Sequence, residues 1–302
     1  MVKKKALLVY NAQAGQAKVN DILKEITSVL AAEYQELTMV QTVEKGDGER
    51  ICRERGSEYD LLFIVGGDGT VHECVNGLMD VTEPPTVGIL PAGTCNDFSR
   101  SLGIPQSITE AAEVIKAGQT RTCDIGRCNN HYFTNFAGLG LITTVSEETN
   151  STLKHSVGKL SYFISALQSL KKADPFSFTL QTAENDQRSG EAVMILAMNG
   201  FSLGTANFHL PESKLDDSLL ELYIIQEDGL KLLKNMYYKT FAEDWPKEAE
   251  GIELIRTSSF SLTTAEKMDI DMDGEIYQTS PASIVLLPRK LTFFTNEAAH
   301  EK

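Results

Sequence analysis

The stretch FIVGGDGTVHE, residues 63–73, predicts the end of a buried strand, a glycine-rich loop and the first turn of a helix. The apolar run that leads into it is typical of a strand in the core of a parallel sheet. Three glycines within four positions allow backbone amides to approach a phosphate closely. No lysine follows these glycines, and the only charged residue between them is Asp68. The stretch therefore indicates phosphate binding in which another group supplies the positive charge.

The first part of the chain repeats this strand-to-helix pattern. Short runs that predict strands occur at Ala6–Tyr10, Glu36–Gln41, Leu61–Val65 and Val87–Leu90. Segments with helical character follow them, which predicts a parallel α/β sheet with helices on both faces. Parallel sheets bind ligands beyond the carboxyl ends of their strands. We therefore expect one ligand-binding edge, formed by the loops at residues 11–15, 66–70 and 93–97.

The pattern changes after Asp124. Later segments that resemble strands are joined by turn residues, which favours an antiparallel, β-sandwich-like domain. One helix, at about 158–172, interrupts them, and its apolar face suits either core packing or membrane docking. We expect an α/β domain over residues 1–124, a β-sandwich-like domain over 125–290 and a cleft between them. Residues 291–302 are able to return to the first domain.

Composition limits the classes of function. The chain has 302 residues, which suits two domains, and a net charge of −14. That charge argues against broad, sequence-independent binding of nucleic acid, which needs a basic surface. No segment is long and apolar enough to span a bilayer, so we expect a cytoplasmic protein. The five cysteines form no C-x-x-C pair, which favours reduced thiols over a zinc site.

Two interpretations of the GGDGT loop stay open on its spacing alone. It suits a tight strand-to-helix turn capped by Thr70, and it equally suits a phosphate cradle. The Gly93-Thr94 pair, one strand later, repeats the arrangement and favours the cradle. Asp68 would then be the partner of a hydrated magnesium ion, because magnesium keeps several waters and is held by one or two carboxylates together with phosphate oxygens.

Two motifs carry a resemblance to a known family. VGGDGTVHECVNGL (65–78) and GILPAGTCNDFSRSLG (88–103) resemble the diacylglycerol kinase catalytic domain of the bacterial lipid kinases in the group that contains DgkB, YegS and BmrU. The resemblance covers nearly the whole chain. It implies a kinase that uses ATP and magnesium to phosphorylate a lipid hydroxyl, with diacylglycerol as the leading acceptor. The partner would be a lipid at a membrane surface, contacted transiently, with no nucleic acid, and a homodimer is compatible with this interpretation.

The resemblance implies a set of ATP contacts and a magnesium site. The ATP contacts would be Asn11, Ala12, Gln13, Ala14, Gly15, Thr42, Gly66, Gly67, Asp68, Gly69, Thr70, Val71, His72 and Thr94. Asp68, Asp97 and Asp124 would form an acidic network around the nucleotide-bound magnesium. His72 suits a core histidine as well as a nucleotide neighbour. The chain departs from the family at Ala12, where the family has a proline after the asparagine.

A second motif, KLDDSLLELYII (214–225), precedes a predicted strand. The residues alone suit a solvated acidic turn. The resemblance instead implies a structural magnesium, held by the backbone carbonyls of Lys214 and Leu219 and the carboxylate of Asp217. The family has Asp-Asp-Gly here, whereas this chain has Ser218 in place of the glycine. We expect Ser218 to disturb the turn if its backbone needs a positive φ.

The catalytic candidate lies in MDIDMDGEIYQ (268–278). In an extended strand Asp269, Asp271 and Asp273 share one face, and Asp273-Gly274 is also a strong hairpin-turn signal. The resemblance implies that Asp273 accepts the proton of the lipid hydroxyl, with Glu275 in support. A carboxylate suits that role because phosphoryl transfer depends on an aligned nucleophile and charge neutralisation.

Two other functions remain compatible with the motifs. An NAD kinase shares GGDGT, but a further glycine-rich signature for the acceptor dinucleotide is missing from the later part of the chain. A nucleotide-binding regulatory protein without turnover would keep the fold, and the departures at Ala12 and Ser218 leave that interpretation open.

Overall fold

The computed structural model describes residues 4–11, 19–143, 174–204, 206–207, 212–227 and 251–296. The chain forms two compact units, one of residues up to Cys123 together with those from Arg289 onward, and one of Asp124–Pro288. The sequence analysis placed the corresponding boundaries after residues 124 and 290. The helix expected at about 158–172 lies outside the described residues.

The first unit contains a parallel sheet and five helices within its described residues. Its strands are β1 (Lys5–Asn11), β2 (Glu36–Thr42), β3 (Leu61–Gly66) and β4 (Thr86–Pro91). They pair in parallel in the order β2-β1-β3-β4. The helices are α1 (Val19–Leu30), α2 (Asp47–Arg55), α3 (Asp68–Leu78), α4 (Asp97–Ser101) and α5 (Ile108–Ala117), with a 3-10 helix at Gly56–Glu58. Every residue of β3 is buried, as a central parallel strand requires, and the predicted α/β sheet is confirmed.

The second unit is built from antiparallel strands. One sheet has the order β14 (Ile252–Thr257), β13 (Leu220–Ile225), β10 (Met194–Met198), β7 (Phe136–Gly140), β16 (Asp269–Met272) and β17 (Glu275–Thr279). In the other, β18 (Ala282–Phe294), β15 (Ser259–Thr264), β8 (Phe176–Thr182) and β9 (Gln187–Ala192) pair in turn. Two short pairs join β5 (Thr120–Cys128) to β6 (His131–Phe133) and β11 (Ser202–Leu203) to β12 (Ala206–Asn207).

One apolar core lies between the two sheets of the second unit. Ile195 and Leu222 come from the first of these sheets, and Leu180, Phe260 and Ile284 come from the other. All five side chains are buried and belong to one cluster. This is the arrangement of a sandwich, in which the inward faces of two sheets interdigitate. It confirms the predicted class of the second domain.

Strand β18 corrects one prediction. The sequence analysis ended the second domain at residue 290 and treated residues 291–302 as a separate C-terminal segment. The structure has a single strand, Ala282–Phe294, that runs through this point. Arg289, directly after Pro288, adopts a left-handed conformation with φ 48°. The strand therefore continues past the proline with one irregular residue. The first half of β18 pairs with β15 in the second unit, and Phe293 pairs with Val87 of β4 in the first.

A charged turn connects β2 to α2. One carboxylate oxygen of Asp47 accepts hydrogen bonds from the amides of Val43 (2.8 Å) and Glu44 (3.1 Å), and the other lies 2.7 Å from Arg50 Nη2. The Arg50 hydrogen bond, followed by the two amides, lowers the pKa of Asp47 to about 2. Because this pKa lies below the usual value of about 4, the turn stabilises the folded state only while Asp47 is charged.

The substitution Asp47→Asn tests this dependence on charge. The variant should have a smaller free energy of unfolding than the parent at pH 7, and the difference should shrink as the pH falls from about 4 toward 2. The sign follows because a lowered pKa stabilises the fold above the ordinary pKa and loses its effect as the carboxylate is protonated. Urea denaturation at several pH values measures the difference. Glu54→Gln, which removes a 3.5 Å contact to the same arginine, is the control, and a difference for Asp47→Asn that stays constant down to pH 2.5 would contradict the account.

Candidate active site

Asp68 joins the two glycine-containing loops of the first unit. It is the first residue of α3, and its Oδ1 accepts the amide of Asp97 at 2.7 Å while its Oδ2 accepts the amide of Asn96 at 2.9 Å. Asp68 therefore links the two loops.

The backbones of these two loops touch. A Cβ atom placed on Gly93 would lie 2.5 Å from the Cα of Gly67, and one placed on Gly67 would lie 3.0 Å from the Cα of Gly93. A side chain at Gly93 would overlap the backbone of the other loop, and one at Gly67 would be in tight contact with it. The contact explains why the two motifs occur together in one sequence: each loop leaves room for the other.

Asn96 stabilises the loop at residues 93–97 through hydrogen bonds of its own side chain. Its φ of 53° is left-handed, a conformation that asparagine tolerates better than most residues. Its Oδ1 accepts the amide of Gly93 at 2.9 Å, and its Nδ2 donates to the carbonyl of Gly93 and to Oε1 of Gln106, both at 3.1 Å. The sequence analysis missed Asn96, although its short polar side chain inside a glycine loop is a recognisable turn signal.

The parallel register brings three other expected ATP contacts, Asn11, Thr42 and Gly66, to the edge of the sheet formed by the carboxyl ends of its strands. Asn11 ends β1 opposite Thr42, which ends β2, and Gly66 ends β3 opposite Pro91. Thr94, a further expected ATP contact, is exposed. Ala12, Gln13, Ala14 and Gly15 lie outside the described residues.

Residues further into α3 have buried side chains. Val71 is 4% exposed, His72 is 2% exposed and Thr70 is 8% exposed. His72 contributes its carbonyl oxygen to a hydrogen bond from Asn76 Nδ2 at 2.9 Å. The burial of His72 agrees with the core interpretation of this residue.

Glu73 connects α3 to the start of α2. Its Oε1 accepts the amide of Gly46 at 2.9 Å, and its Oε2 accepts the amide of Gly48 at 3.1 Å. The N-terminal amides of a helix have no partner within it, so a side chain from the neighbouring helix satisfies them here. The loop that follows Thr42 is thereby fixed relative to the GGDGT loop. Sequence reasoning missed this contact, because nothing local pairs Glu73 with glycines more than twenty positions earlier.

Asp273 lies in the turn between β16 and β17. It has a φ of 54° and is followed by Gly274 with a φ of 90°, which confirms the predicted hairpin turn. The Asp273 carboxylate accepts the amides of Asn135 and Phe136 on Oδ1, both at 2.9 Å. Its Oδ2 accepts the amide of Thr134 at 2.8 Å and the hydroxyl of Thr134 at 3.1 Å. These four donors match the acceptor capacity of the carboxylate.

The remaining acids of this hairpin differ in exposure. Asp271 is fully buried and accepts the amide of Gly274 at 2.7 Å. Asp269, at the start of β16, and Glu275, at the start of β17, are partly exposed. Asp273 is 4% exposed. The assignment of Asp273 as the proton acceptor and Glu275 as its support stays a prediction.

Asp124 holds the turn at residues 214–218 (the KLDDS turn) in the second unit. Its carboxylate accepts the amide of Ser218 at 2.6 Å, and its own amide donates to the carbonyl of Leu215 at 2.7 Å. Ser218 has a φ of 64°, so the positive φ that the family glycine would provide is adopted by serine, and the turn still forms. Asn199 ties this region to the Asp273 loop, since its Nδ2 donates to the carbonyls of Asp124 (3.1 Å) and Thr134 (2.6 Å).

The predicted magnesium ligands fall into separate groups. Among the described residues, no cluster of three or more histidine, cysteine, aspartate or glutamate side chains is arranged to hold a metal ion. Asp68 and Asp97 are adjacent in the first unit, whereas Asp124 and Asp217 belong to the second. Within the described residues no helix is long and apolar enough to cross a membrane.

Comparison with known proteins identifies the family. Residues 5–128 match the family model described as the diacylglycerol kinase catalytic domain, and residues 136–295 match the YegS C-terminal NAD kinase beta sandwich-like domain. The chain belongs to the bacterial diacylglycerol kinase/lipid kinase family. This family also explains the order of the two units, with the glycine-rich loops in the first and the sandwich in the second.

Relatives and solved structures agree with the family. A Staphylococcus aureus (strain MRSA252) protein named "Putative lipid kinase" is 34% identical over 294 residues, and the alignment covers 96% of each chain. A crystal structure described as a "putative diacylglycerol kinase" from Bacillus anthracis str. Sterne has a TM-score of 0.89 and 35% identity, with 99% of both chains covered. A structure described as a diacylglycerol kinase from the same organism has a TM-score of 0.86 and 33% identity. The comparisons therefore support a kinase.

Removal of the Glu73 carboxylate tests how the loops are held. Glu73→Ala leaves two helix-start amides without their acceptor and should lower the free energy of unfolding by roughly 1–3 kcal/mol, because unpaired buried donors lose their hydration. Glu73→Gln keeps one acceptor oxygen and should lose about half as much. Chemical denaturation measures both variants. An unchanged stability of Glu73→Ala would show that these hydrogen bonds do not hold α2.

Proposed function

We propose that this chain is an ATP- and magnesium-dependent lipid kinase that transfers the γ-phosphoryl group to a lipid hydroxyl, with diacylglycerol as the leading acceptor and phosphatidic acid as the product. The observation that carries the proposal is the link from Asp68 to the amides of Asn96 and Asp97. It fixes two glycine loops side by side at the ligand-binding edge of a parallel sheet, in a chain whose relatives are named as lipid kinases.

Main-chain groups would hold the phosphates of ATP. Gly67 and Gly93 let the two loops lie backbone to backbone. Helix α3 begins at Asp68, so its dipole favours an anion there. Asp68 and Asp97 would hold a hydrated magnesium ion. That ion would supply the positive charge that offsets the charge of the transferring phosphoryl group.

Asp273 would receive the proton of the lipid hydroxyl. Three of its four donors are main-chain amides, which the strands hold in place, whereas the fourth is the hydroxyl of Thr134 at 3.1 Å. A substrate hydroxyl can replace that donor with the same chemistry, because it also offers one O–H group to Oδ2. The three amides would then keep the carboxylate aligned during the transfer, and Glu275, two residues further on, would support it.

The proposed acceptor implies contact with a membrane surface. A diacylglycerol substrate resides in lipid, so the protein would act from the cytoplasmic side through peripheral, transient contact.

A nucleotide-binding regulator without turnover is the second candidate, favoured by Ala12 in the first loop. An NAD kinase-like activity is the third, since the matched family model of the second unit is itself described as NAD kinase-like.

One assay separates the three candidates. Protein, labelled ATP and magnesium are incubated with mixed micelles of diacylglycerol and, in a parallel reaction, with NAD. Label in phosphatidic acid supports the lipid kinase, whereas label only in NADP would overturn it. The absence of transfer to NAD and to a panel of lipid alcohols would favour the regulator.

The substitution Asp273→Asn tests the proton acceptor. Asparagine keeps the size of the side chain but cannot take the proton, so the rate of lipid phosphorylation should fall roughly 100-fold or more, the scale of general-base catalysis. Asp269→Asn, on the adjoining strand β16, removes the same charge and should retain the parent rate. Both rates are measured in the micelle assay, with thermal unfolding to confirm that each variant is folded. A rate for Asp273→Asn that equals the parent rate would remove Asp273 as the base.

A further inference from the structure

Asp217, in the KLDDS turn, accepts hydrogen bonds from two main-chain amides and contacts one arginine. Its carboxylate accepts the amides of Leu219 at 3.0 Å and Lys214 at 3.3 Å. It also lies 2.6 Å from Nη2 of Arg256, with the two side chains 17% and 28% exposed. These three partners are N–H groups, and one of them, the guanidinium of Arg256, carries a full positive charge.

Arg256 contacts a second acid and a carbonyl. It lies on β14 directly opposite Glu221 of β13, and its Nε is 3.3 Å from Glu221 Oε1, whose side chain is only 6% exposed. Its Nη2 also lies 3.5 Å from the carbonyl oxygen of Glu212. Two carboxylates and a main-chain carbonyl are the oxygen set that a divalent cation takes in proteins, and here one guanidinium contacts all three.

These residues do not fit the structural magnesium that the family resemblance implies. A divalent ion bound to Asp217 would lie against the guanidinium of Arg256, and like charges at such distances repel strongly in a partly buried site. The amides of Lys214 and Leu219 already direct their hydrogens at the same carboxylate. The turn can hold the arginine or a magnesium ion, but the two compete for one carboxylate.

We propose that Arg256 replaces the structural magnesium in this chain, so that the KLDDS turn is held by a built-in cation and its stability does not depend on divalent metal. Arginine suits this role because its planar guanidinium stays charged and offers donors in several directions at once. Glu221 and Asp217 need a nearby positive charge because each is at least partly withdrawn from water. The proposal concerns the second unit alone and does not depend on kinase activity.

Thermal unfolding with magnesium alone, without nucleotide or lipid, tests the proposal. The parent protein and Asp217→Asn are each melted in EDTA and in rising magnesium concentrations. We expect the magnesium-induced shift in Tm to be the same for both proteins, because the turn holds no metal. A shift that is larger in the parent than in Asp217→Asn would place a magnesium ion at the turn and overturn the proposal.

A second variant tests whether Arg256 stabilises the KLDDS turn. Arg256→Gln should lower Tm in EDTA by roughly 5–10 °C, because it leaves two carboxylates without their cation. Arg256→Lys keeps the charge and should lose less. A Tm for Arg256→Gln equal to that of the parent would overturn the proposal. If Arg256→Gln does not fold, the comparison of the parent with Asp217→Asn still decides the question.

Discussion

The hydrogen bonds from the amides of Asn96 and Asp97 to the carboxylate of Asp68 are the interaction on which the candidate active site depends. They hold the two glycine loops together where Gly67 and Gly93 meet backbone to backbone. The parallel register of β1 to β4 only brings the loops to one edge of the sheet. The carboxylate fixes them there, so that main-chain amides and a helix terminus can face an anion without a lysine.

In the second unit, too, main-chain N–H groups donate hydrogen bonds to acidic side chains. Asp273 accepts three amides and one hydroxyl, and Asp124 accepts the amide of Ser218. Both acids belong to a chain with a net charge of −14, and main-chain N–H groups contribute to holding each of them in place. Asp217 accepts two main-chain amides and also contacts Arg256.

Local patterns allowed much of the fold to be predicted. The apolar run into Gly66 and the turn at Asp273-Gly274 each have a signal within a few residues, and both predictions are confirmed. The continuation of β18 through Pro288 was missed, because it depends on the left-handed conformation of Arg289. Glu73 and Arg256 were missed for another reason: their partners lie far away in sequence, and contacts between side chains and distant main-chain groups leave no periodicity to detect.

The central claim is that the loop pair held by Asp68 binds the phosphates of ATP. A crystal structure with a non-hydrolysable ATP analogue and magnesium tests it most directly. The account predicts the phosphate oxygens against the main-chain amides of residues 66–70 and 93–97, with the Asp68 carboxylate still bonded to the amides of Asn96 and Asp97. A nucleotide whose phosphates bind away from both loops would contradict it.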